Sequence, residues 1–377
     1  MKSFLETEYN LKVVPFNIVD PTATMAGRNA ALKAWQQIIR QRVGQKNNSY
    51  NFIIGDYGSG KSFTLFKIVE DVKKEYKDRI LPISTTLLPE DTVNKFGLSF
   101  IQRLFARISD REIEGVLKKV SKNDLEHLKQ VLPDPGIIFE KIKKGDKLPL
   151  IFLRGDRSLD KKEMNDLGVL RKINSTDKAK DYFLAFLHLL KLANIDTIVL
   201  AIDEVEYLFS QMKGAKLSLV FNTLRGIYDL QFTYSKALEL TKIANIICFF
   251  AISEDGWRRL NEMRKRESGQ GGPINPFLDR KDIIITLLNL SKQETLGLIE
   301  YRLSDHRVKD AGKNKLLIPF EDKFIDYIYA LTAGKPRFIV DRCDIVLREG
   351  LEQKIPLITV DFAKKVYESH GLFTETK

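Results

Sequence analysis

The stretch that indicates the fold is Gly55-Asp56-Tyr57-Gly58-Ser59-Gly60-Lys61-Ser62, which fits the pattern G-x-x-x-x-G-K-[ST] at every fixed position. Glycines at these places let the backbone turn so that successive N–H groups point at phosphate oxygens. The lysine of the pattern, Lys61, reaches the β- and γ-phosphates of a nucleotide, and the hydroxyl of Ser62 binds Mg²⁺. The pattern therefore predicts a nucleotide-binding loop, which we extend to Phe63. The alternative is an accidental glycine-rich turn.

The sequence around this loop has the order that a parallel α/β sheet requires. Residues 50–54 are apolar and predict a short strand directly before the loop. A helix is predicted over residues 61–76 and a second strand over residues 79–84. Strand, glycine loop, helix and strand form the opening of a parallel α/β fold.

A pair of acidic residues follows another apolar run. Residues 199–202 read Val-Leu-Ala-Ile and are followed by Asp203 and Glu204. In a parallel sheet the carboxyl ends of the strands face the ligand crevice. We therefore assign Asp203 to Mg²⁺ and Glu204 to the water that attacks the phosphate. A solvated turn is the alternative for this pair. Glu206 either serves the same site or lies at a helix N-terminus, where the helix dipole favours an acid.

The remaining pattern predicts two domains. Buried strands are predicted near residues 196–202, 245–252 and 282–287, so residues 1–290 form the α/β domain. Residues 133–162 carry prolines, glycines and many charges, but they are long for a connection inside a compact domain, so residues from about 90 to 175 are predicted to be a mostly helical insertion. Residues 291–377 are predicted to be an all-helical domain that begins with a capping box at Ser291.

Composition bears on partners and location. Lys and Arg number 61 against 50 Asp and Glu, a net charge of +11. This excess favours a polyanionic partner such as DNA, although a lysine-rich solvated surface explains it equally well. The N-terminus lacks the apolar stretch of a signal peptide, and the longest apolar run, residues 246–252, is too short to cross a bilayer. We expect a cytoplasmic protein without membrane contact.

Two further features have two interpretations each. The basic runs at residues 118–129 and 141–147 either follow the phosphates of a nucleic acid or are solvated helix faces. The stripe of Phe96, Phe100, Leu104 and Phe105 is either the core of the insertion or a contact for a partner.

Two motifs further along resemble a known family. Residues 249–253 form an apolar strand that ends in Ser253, and residues 333–337 read Ala-Gly-Lys-Pro-Arg at the start of a predicted helix. Together with the loop and the acidic strand, they resemble AAA+ ATPases of the origin-recognition and Cdc6-like branch. The resemblance implies that Ser253 contacts the γ-phosphate or the attacking water, and that Arg337 reaches the γ-phosphate. Weaker matches of the same branch are residues 287–291 and, where the branch frames the adenine, Val14-Pro15 with Gly27-Arg28.

A narrower resemblance joins the loop to two later motifs. Residues 55–63, then 153–156 (Leu-Arg-Gly-Asp), then 202–206 are similar to the ATP-binding proteins of BREX-type phage-exclusion systems. This resemblance covers roughly residues 10–345. Unlike origin-recognition proteins, the sequence leaves no room after residue 371 for a C-terminal winged helix, so we do not expect duplex binding through such a module.

The AAA+ resemblance also implies that a neighbouring subunit completes the site with an arginine. We therefore expect a homo-oligomer. Arg280, just ahead of the last strand, is the favoured residue and Arg266 the second; the other candidates are Arg258, Arg259 and Arg264. Each of these arginines has the alternative of pairing with surface acids.

These patterns predict a Mg²⁺-dependent AAA+ ATPase: a P-loop parallel sheet with a helical insertion and a C-terminal helical lid. We expect it to act as a nucleotide-driven switch or motor in a DNA transaction, such as phage defence or a transposition-like process, with protein partners. An ATP-gated protein-recruitment hub with little hydrolysis is the alternative. A small-molecule kinase is a third interpretation, against which the helical lid and the lack of an evident acceptor site both speak.

Overall fold

The computed structural model describes residues 3–17, 28–45, 47–87, 95–169, 172–208, 215–237, 240, 242–267, 272–308 and 316–372. The chain divides into two compact units, each with its own buried hydrophobic core. The α/β unit comprises residues 34–54 and 61–286. The helical unit comprises residues 1–33, 55–60 and 287–377.

The sheet has five strands in the order β2-β3-β4-β1-β5. In chain order the strands are β1 (Ser49–Gly55), β2 (Ile80–Thr86), β3 (Thr197–Asp203), β4 (Asn245–Ser253) and β5 (Lys281–Leu287). The sheet is parallel, with β2 paired to β3 from Ile80 opposite Thr197 to Thr86 opposite Asp203. Strands β3 and β4 are buried over nearly their whole length, which is why they read as continuous apolar runs rather than as alternating ones. The predicted α/β fold class is confirmed.

The helices follow one another closely along the chain, and a 3₁₀ turn at Lys77–Arg79 joins α3 to β2. They are α1 (Phe4–Thr7), α2 (Asn29–Arg42), α3 (Lys61–Tyr76), α4 (Phe96–Ala106), α5 (Asp110–Lys119), α6 (Lys122–Val131), α7 (Pro133–Lys143), α8 (Leu148–Arg154), α9 (Lys161–Leu167), α10 (Thr176–Leu192), α11 (Ala215–Ala237), α12 (Glu254–Glu267), α13 (Ile274–Leu278), α14 (Lys292–Asp305), α15 (Phe324–Thr332), α16 (Pro336–Glu352) and α17 (Val360–Ser369).

Helices α4 to α10 lie between β2 and β3 in the chain, and α4 to α9 fall within the insertion expected at about residues 90–175. Residues 133–162, which the sequence placed in the mostly helical insertion despite their prolines and glycines, consist largely of α7, α8 and the start of α9. Several of these prolines and glycines stand at helix ends, where they are favourable. Pro133 and Pro149 lie in the first turns of α7 and α8, where a missing N–H costs nothing. Gly155 ends α8 in the left-handed conformation that is common after a helix.

The aromatic stripe of α4 belongs to the core of the α/β unit. Phe96, Phe100, Leu104 and Phe105 are each at most 1% exposed, and Phe105 packs edge-on against Phe186 of α10. The core interpretation of this stripe is therefore the correct one.

Three lysines of the basic runs, Lys129, Lys144 and Lys147, are paired with acids of the insertion itself. Lys129 binds Glu140 at 2.5 Å and Glu126 at 3.0 Å, and Lys144 also binds Glu140. Lys147 binds Glu114 at 2.5 Å. Because these pairs neutralise a share of the positive charge, they favour the interpretation as solvated helix faces over phosphate tracking.

In the helical unit, the N-terminal segment packs with the helices that follow Leu287. The Tyr9 hydroxyl donates to the Ile355 carbonyl at 2.6 Å. Arg307 donates to the Tyr9 carbonyl at 2.7 Å, and Arg302 donates to the Pro15 carbonyl at 3.2 Å. Residues 3–17 thus contribute to the same hydrophobic core as α14 to α17. The domain boundary expected at residue 290 stays a prediction.

The start of α14 has the predicted capping box. The Ser291 hydroxyl accepts from the Glu294 N–H at 3.3 Å, while the Glu294 carboxylate accepts from the Ser291 N–H at 2.8 Å. Within the described part of the chain, no helix is both long and apolar enough to cross a membrane.

Candidate nucleotide-binding site

The glycine loop lies between β1, which ends at Gly55, and α3, which begins at Lys61. Gly58 has a φ of +80° and Gly60 a φ of +96°, a region that residues with a Cβ rarely adopt. The Ser59 N–H donates to the Asp56 carbonyl at 3.1 Å and closes the turn. The strand, the turn and the helix start therefore have the backbone that a phosphate cradle needs.

Two side chains of the loop contact the segment around Pro336, within the helical unit. The Asp56 carboxylate binds the Lys335 ammonium at 2.7 Å. The guanidinium carbon of Arg337 lies 5.0 Å from the centre of the Tyr57 ring, and the Arg337 N–H donates to the Gly58 carbonyl at 3.2 Å. Three consecutive loop residues thus hold two residues that are far away in sequence.

A tight turn at Gly334 places Arg337 against the glycine loop. Gly334 has a φ of +72°, and its carbonyl accepts from the Leu290 N–H at 2.8 Å. A Cβ on Gly334 would lie 2.0 Å from the Leu290 carbonyl oxygen, so this close approach requires glycine. Pro336 then starts α16 and places Arg337 in the first helical turn. The expected contact of Arg337 with a γ-phosphate stays a prediction.

Arg28 also contacts the glycine loop, through its guanidinium. Its guanidinium donates to the Ser59 carbonyl at 2.8 Å and also to the Leu288 carbonyl. Burial lowers the pKa of Arg28, and the nearby Glu294 opposes that shift. The adenine contact that the sequence suggests for this segment stays a prediction; Gly27 lies outside the described residues.

The acidic pair lies at the carboxyl end of β3, where Asp203 is opposite Thr86 of β2. Glu204 has a φ of +59°, and its N–H donates to Oδ1 of Asp203 at 2.9 Å. Burial raises the pKa of Glu204, and the negative charges of Asp203 and Glu206 raise it further. A carboxyl group with a raised pKa is a better proton acceptor, which suits a general base.

Ser253 ends β4, which lies between β3 and β1 in the sheet. Its hydroxyl accepts from the Gly256 N–H at 3.1 Å, in the first turn of α12. The Glu206 carboxylate accepts from the Ser253 N–H at 3.3 Å. Glu206, whose role the sequence left open, therefore joins the acidic turn to the strand that carries Ser253.

Lys61 and Ser62 are the first two residues of α3. The hydroxyl of Ser62 and the carboxylate of Asp203 are both hard oxygen donors, the type that Mg²⁺ prefers. Proteins commonly bind Mg²⁺ through only one or two such groups, and phosphates and water complete the shell. The donor set and the left-handed glycines both fit a magnesium nucleotide.

The candidate arginines for a neighbouring site are mostly paired within the chain. Arg280 binds both oxygens of Asp229 at 2.9 and 2.8 Å and lies 5.4 Å from the Tyr228 ring centre. Arg258 and Arg259 bind Asp255, and Arg264 binds Asp279. Arg266 is exposed on α12. A role in trans for Arg280 stays a prediction.

The fold and the loop together define an α/β protein of the P-loop class. No protein-family model matches the chain, and no curated protein matches it. Among solved structures it is similar to the Aeropyrum pernix ORC2 protein in its ADPNP–ADP complexes, with a TM-score of 0.53 and 13% identity over 94% of this chain and 71% of that one. It is also similar to the Aeropyrum pernix ORC1 protein in complex with DNA, with a TM-score of 0.52 and 10% identity over 94% of this chain and 68% of that one.

These likenesses show that the chain has the fold of the origin-recognition AAA+ ATPases, as the motifs in the sequence predicted. At 10–13% identity they carry information about the fold alone.

Proposed function

We propose that this protein is a Mg²⁺-dependent AAA+ ATPase that acts as a nucleotide-driven switch or motor in a DNA transaction. The observation that carries the proposal is the loop between β1 and α3, with glycines in left-handed conformations directly before Lys61 and Ser62. The acidic turn after β3 and Ser253 at the end of β4 add the groups that hydrolysis requires.

Each residue has a separate part in this proposal. The N–H groups of residues 55–60 and the ammonium of Lys61 bind the phosphates, and Ser62 and Asp203 hold the ion. Bound Mg²⁺ neutralises charge on the phosphate oxygens. Glu204 takes the proton of the attacking water and orients it, a role that its raised pKa favours. Ser253 and Arg337 contact the phosphate or the water from the strand end and from α16.

Two observations support DNA as the partner. The net charge of +11 favours a polyanion. The similar ORC1 structure is a complex with DNA, and this likeness makes DNA the first ligand to test. The paired lysines of the insertion do not add support, so the DNA-contacting surface is proposed to lie elsewhere. Phage exclusion and transposition-like target control are the processes that we propose to examine first.

We further propose that Arg280 acts in a neighbouring subunit of a homo-oligomer. Its bidentate pairing with Asp229 would have to open for this role. Mixing two inactive variants, Glu204→Gln and Arg280→Ala, tests the proposal. Recovered ATP turnover in the mixture supports action in trans, because a mixed interface pairs an intact Glu204 with an intact Arg280. Turnover by Arg280→Ala alone at the wild-type rate removes Arg280 from the role.

The main experiment measures ATP turnover with and without double-stranded DNA, over a range of protein concentrations, beside Lys61→Ala. Turnover that is lost in Lys61→Ala, rises with DNA and increases more than linearly with protein concentration supports an oligomeric, DNA-linked ATPase. Removal of Mg²⁺ with a chelator should abolish it. Equal turnover in the wild type and in Lys61→Ala contradicts the proposal.

One observation favours a second function, an ATP-gated hub that recruits protein partners and scarcely hydrolyses ATP. Arg280, the favoured trans arginine, is engaged by Asp229 and by the Tyr228 ring. A subunit that keeps this pairing lacks that residue for catalysis in its neighbour. Tight ATP binding without turnover under every condition, together with ATP-dependent assembly, would support the hub and count against the motor.

A further inference from the structure

Building on the proposed function, we infer that Asp56 and Tyr57 are positioning residues for Arg337. The nucleotide-binding pattern leaves both positions open, so it assigns their side chains no role of its own. In this protein they make the phosphate loop a docking surface for residues 334–337. Through that contact they set how strongly the chain distinguishes a nucleoside triphosphate from a diphosphate.

The Asp56 carboxylate is the centre of this arrangement. Its Oδ2 accepts from the Lys335 ammonium at 2.7 Å, and its Oδ1 accepts from the Tyr57 N–H at 2.8 Å. One side chain therefore fixes both the residue before Pro336 and the residue whose ring lies beneath Arg337. Asp56 is 53% exposed and Lys335 27% exposed, so the pair is partly screened by water.

The backbone completes the contact. The Arg337 N–H donates to the Gly58 carbonyl, and a Cβ on Gly58 would lie 3.2 Å from the Cβ of Arg337. The start of α16 and the loop are thus in direct main-chain contact at Gly58, with little room there for a second side chain. Because Arg337 is held by its N–H and by the Tyr57 ring, a shift of the loop would move the arginine with it.

The energy of each contact is small, which determines the kind of effect to expect. A partly exposed ion pair and a cation–π contact each change an equilibrium by roughly two- to fivefold. They hold a flexible arginine close to its working position, and this lowers the entropy that must be lost when it binds phosphate. Since ADP has no γ-phosphate, weaker positioning of Arg337 should reduce triphosphate affinity more than ADP affinity.

The experiment measures the dissociation constants of ADPNP and ADP by calorimetry, which requires no turnover. Arg337→Ala should lower the preference for ADPNP by roughly tenfold or more, as expected when an arginine–phosphate contact is lost. Asp56→Ala and Tyr57→Leu should each lower it by roughly two- to fivefold. Tyr57→Phe, which keeps the ring, should retain the preference.

Three comparisons make the test specific. In the background of Arg337→Ala, Asp56→Ala and Tyr57→Leu should have no further effect on the preference, because they act through that arginine. The exchanged pair Asp56→Lys with Lys335→Asp should recover part of what each single change loses. Asp326→Ala removes a more exposed ion pair, that with Lys292, elsewhere in the helical unit and serves as the control.

Failure of the inference can be told apart from failure of the proposed function. If the wild type prefers ADPNP through Arg337, but Asp56→Ala and Tyr57→Leu keep the full preference or add to Arg337→Ala, the inference is wrong and the function stands. If the wild type binds neither nucleotide, or binds them no better than Lys61→Ala, the proposed function is wrong and the inference with it.

Discussion

The amide N–H of Glu204 donates to Oδ1 of Asp203 at 2.9 Å, and Glu204 itself adopts a φ of +59°. This conformation is uncommon for a residue with a side chain and costs free energy that the rest of the fold must supply. One oxygen of Asp203 is thereby engaged by the backbone, while the pKa of Glu204 is raised by burial and neighbouring charge. The two adjacent carboxyl groups thus have different surroundings, as their different proposed roles require.

The first prediction concerns Glu204 as the base. Glu204→Gln keeps the shape and the left-handed turn but cannot accept a proton, so turnover should fall by about a hundredfold or more. ATP should still bind and remain intact, which chromatography of the bound nucleotide after gel filtration would show. Glu262→Gln, the same change on an exposed face of α12, should behave as the wild type. Normal turnover by Glu204→Gln would exclude Glu204 from this role.

The second prediction concerns the dependence of hydrolysis on pH. The base must be ionised, so the rate should rise with pH through the pKa of Glu204, which burial, Asp203 and Glu206 hold above its ordinary value. Glu206→Gln removes one of the two nearby negative charges and can still accept from the Ser253 N–H. The acid limb of the pH–rate profile should therefore move to lower pH. A limb that stays in place, or moves to higher pH, would count against this assignment.

The third prediction concerns the turn before Arg337. Gly334→Ala places a methyl group 2.0 Å from the Leu290 carbonyl oxygen, at a φ of +72° that alanine resists. We expect the helical unit to lose about 2 kcal/mol or more of unfolding free energy, measured by urea denaturation and circular dichroism.

The control for this change should alter the free energy of unfolding in the opposite direction. Gly297 lies inside α14 with open space around the position of a Cβ, so Gly297→Ala should stabilise the protein by about 0.4–1 kcal/mol. A Gly334→Ala variant as stable as the wild type would mean that the turn is not left-handed at this residue.

The fourth prediction concerns a buried cation in the helical unit. Arg307 is 8% exposed and donates to the carbonyls of Tyr9, Leu316 and Ile318 at 2.6–2.9 Å. Arg307→Met should cost about 3 kcal/mol of unfolding free energy, because it leaves buried carbonyls without these donors.

Arg348→Met is the matched surface change, since Arg348 is 62% exposed in its pair with Asp344. Its effect should stay below about 1 kcal/mol. Equal urea midpoints for the two variants would show that the carbonyl contacts of Arg307 contribute little to stability.

Much of the fold could be predicted from the sequence because its signals are local. The predicted apolar runs form the buried strands β3 and β4, whose ends lie within a few residues of the predicted bounds. Helix α3 begins at Lys61, as predicted. Within the predicted helical insertion, the bounds of the helices over residues 133–162 could not be predicted from composition. Pro133, Pro149 and Gly155 break a helix in its interior but are favourable at its ends, and composition alone does not show which applies.

In the candidate site, too, some features could be recognised from the sequence and others only from the structure. By itself the sequence indicated the glycine loop, the acidic pair and the Gly-Lys-Pro-Arg turn, because each is a short pattern whose chemistry lies in adjacent residues. Only the tertiary structure decided that β4 lies between β3 and β1, that Glu206 reaches Ser253, and that Asp56 binds Lys335, 279 positions away. The reason is physical: a contact between residues so far apart depends on how the whole chain packs, and no local pattern records it.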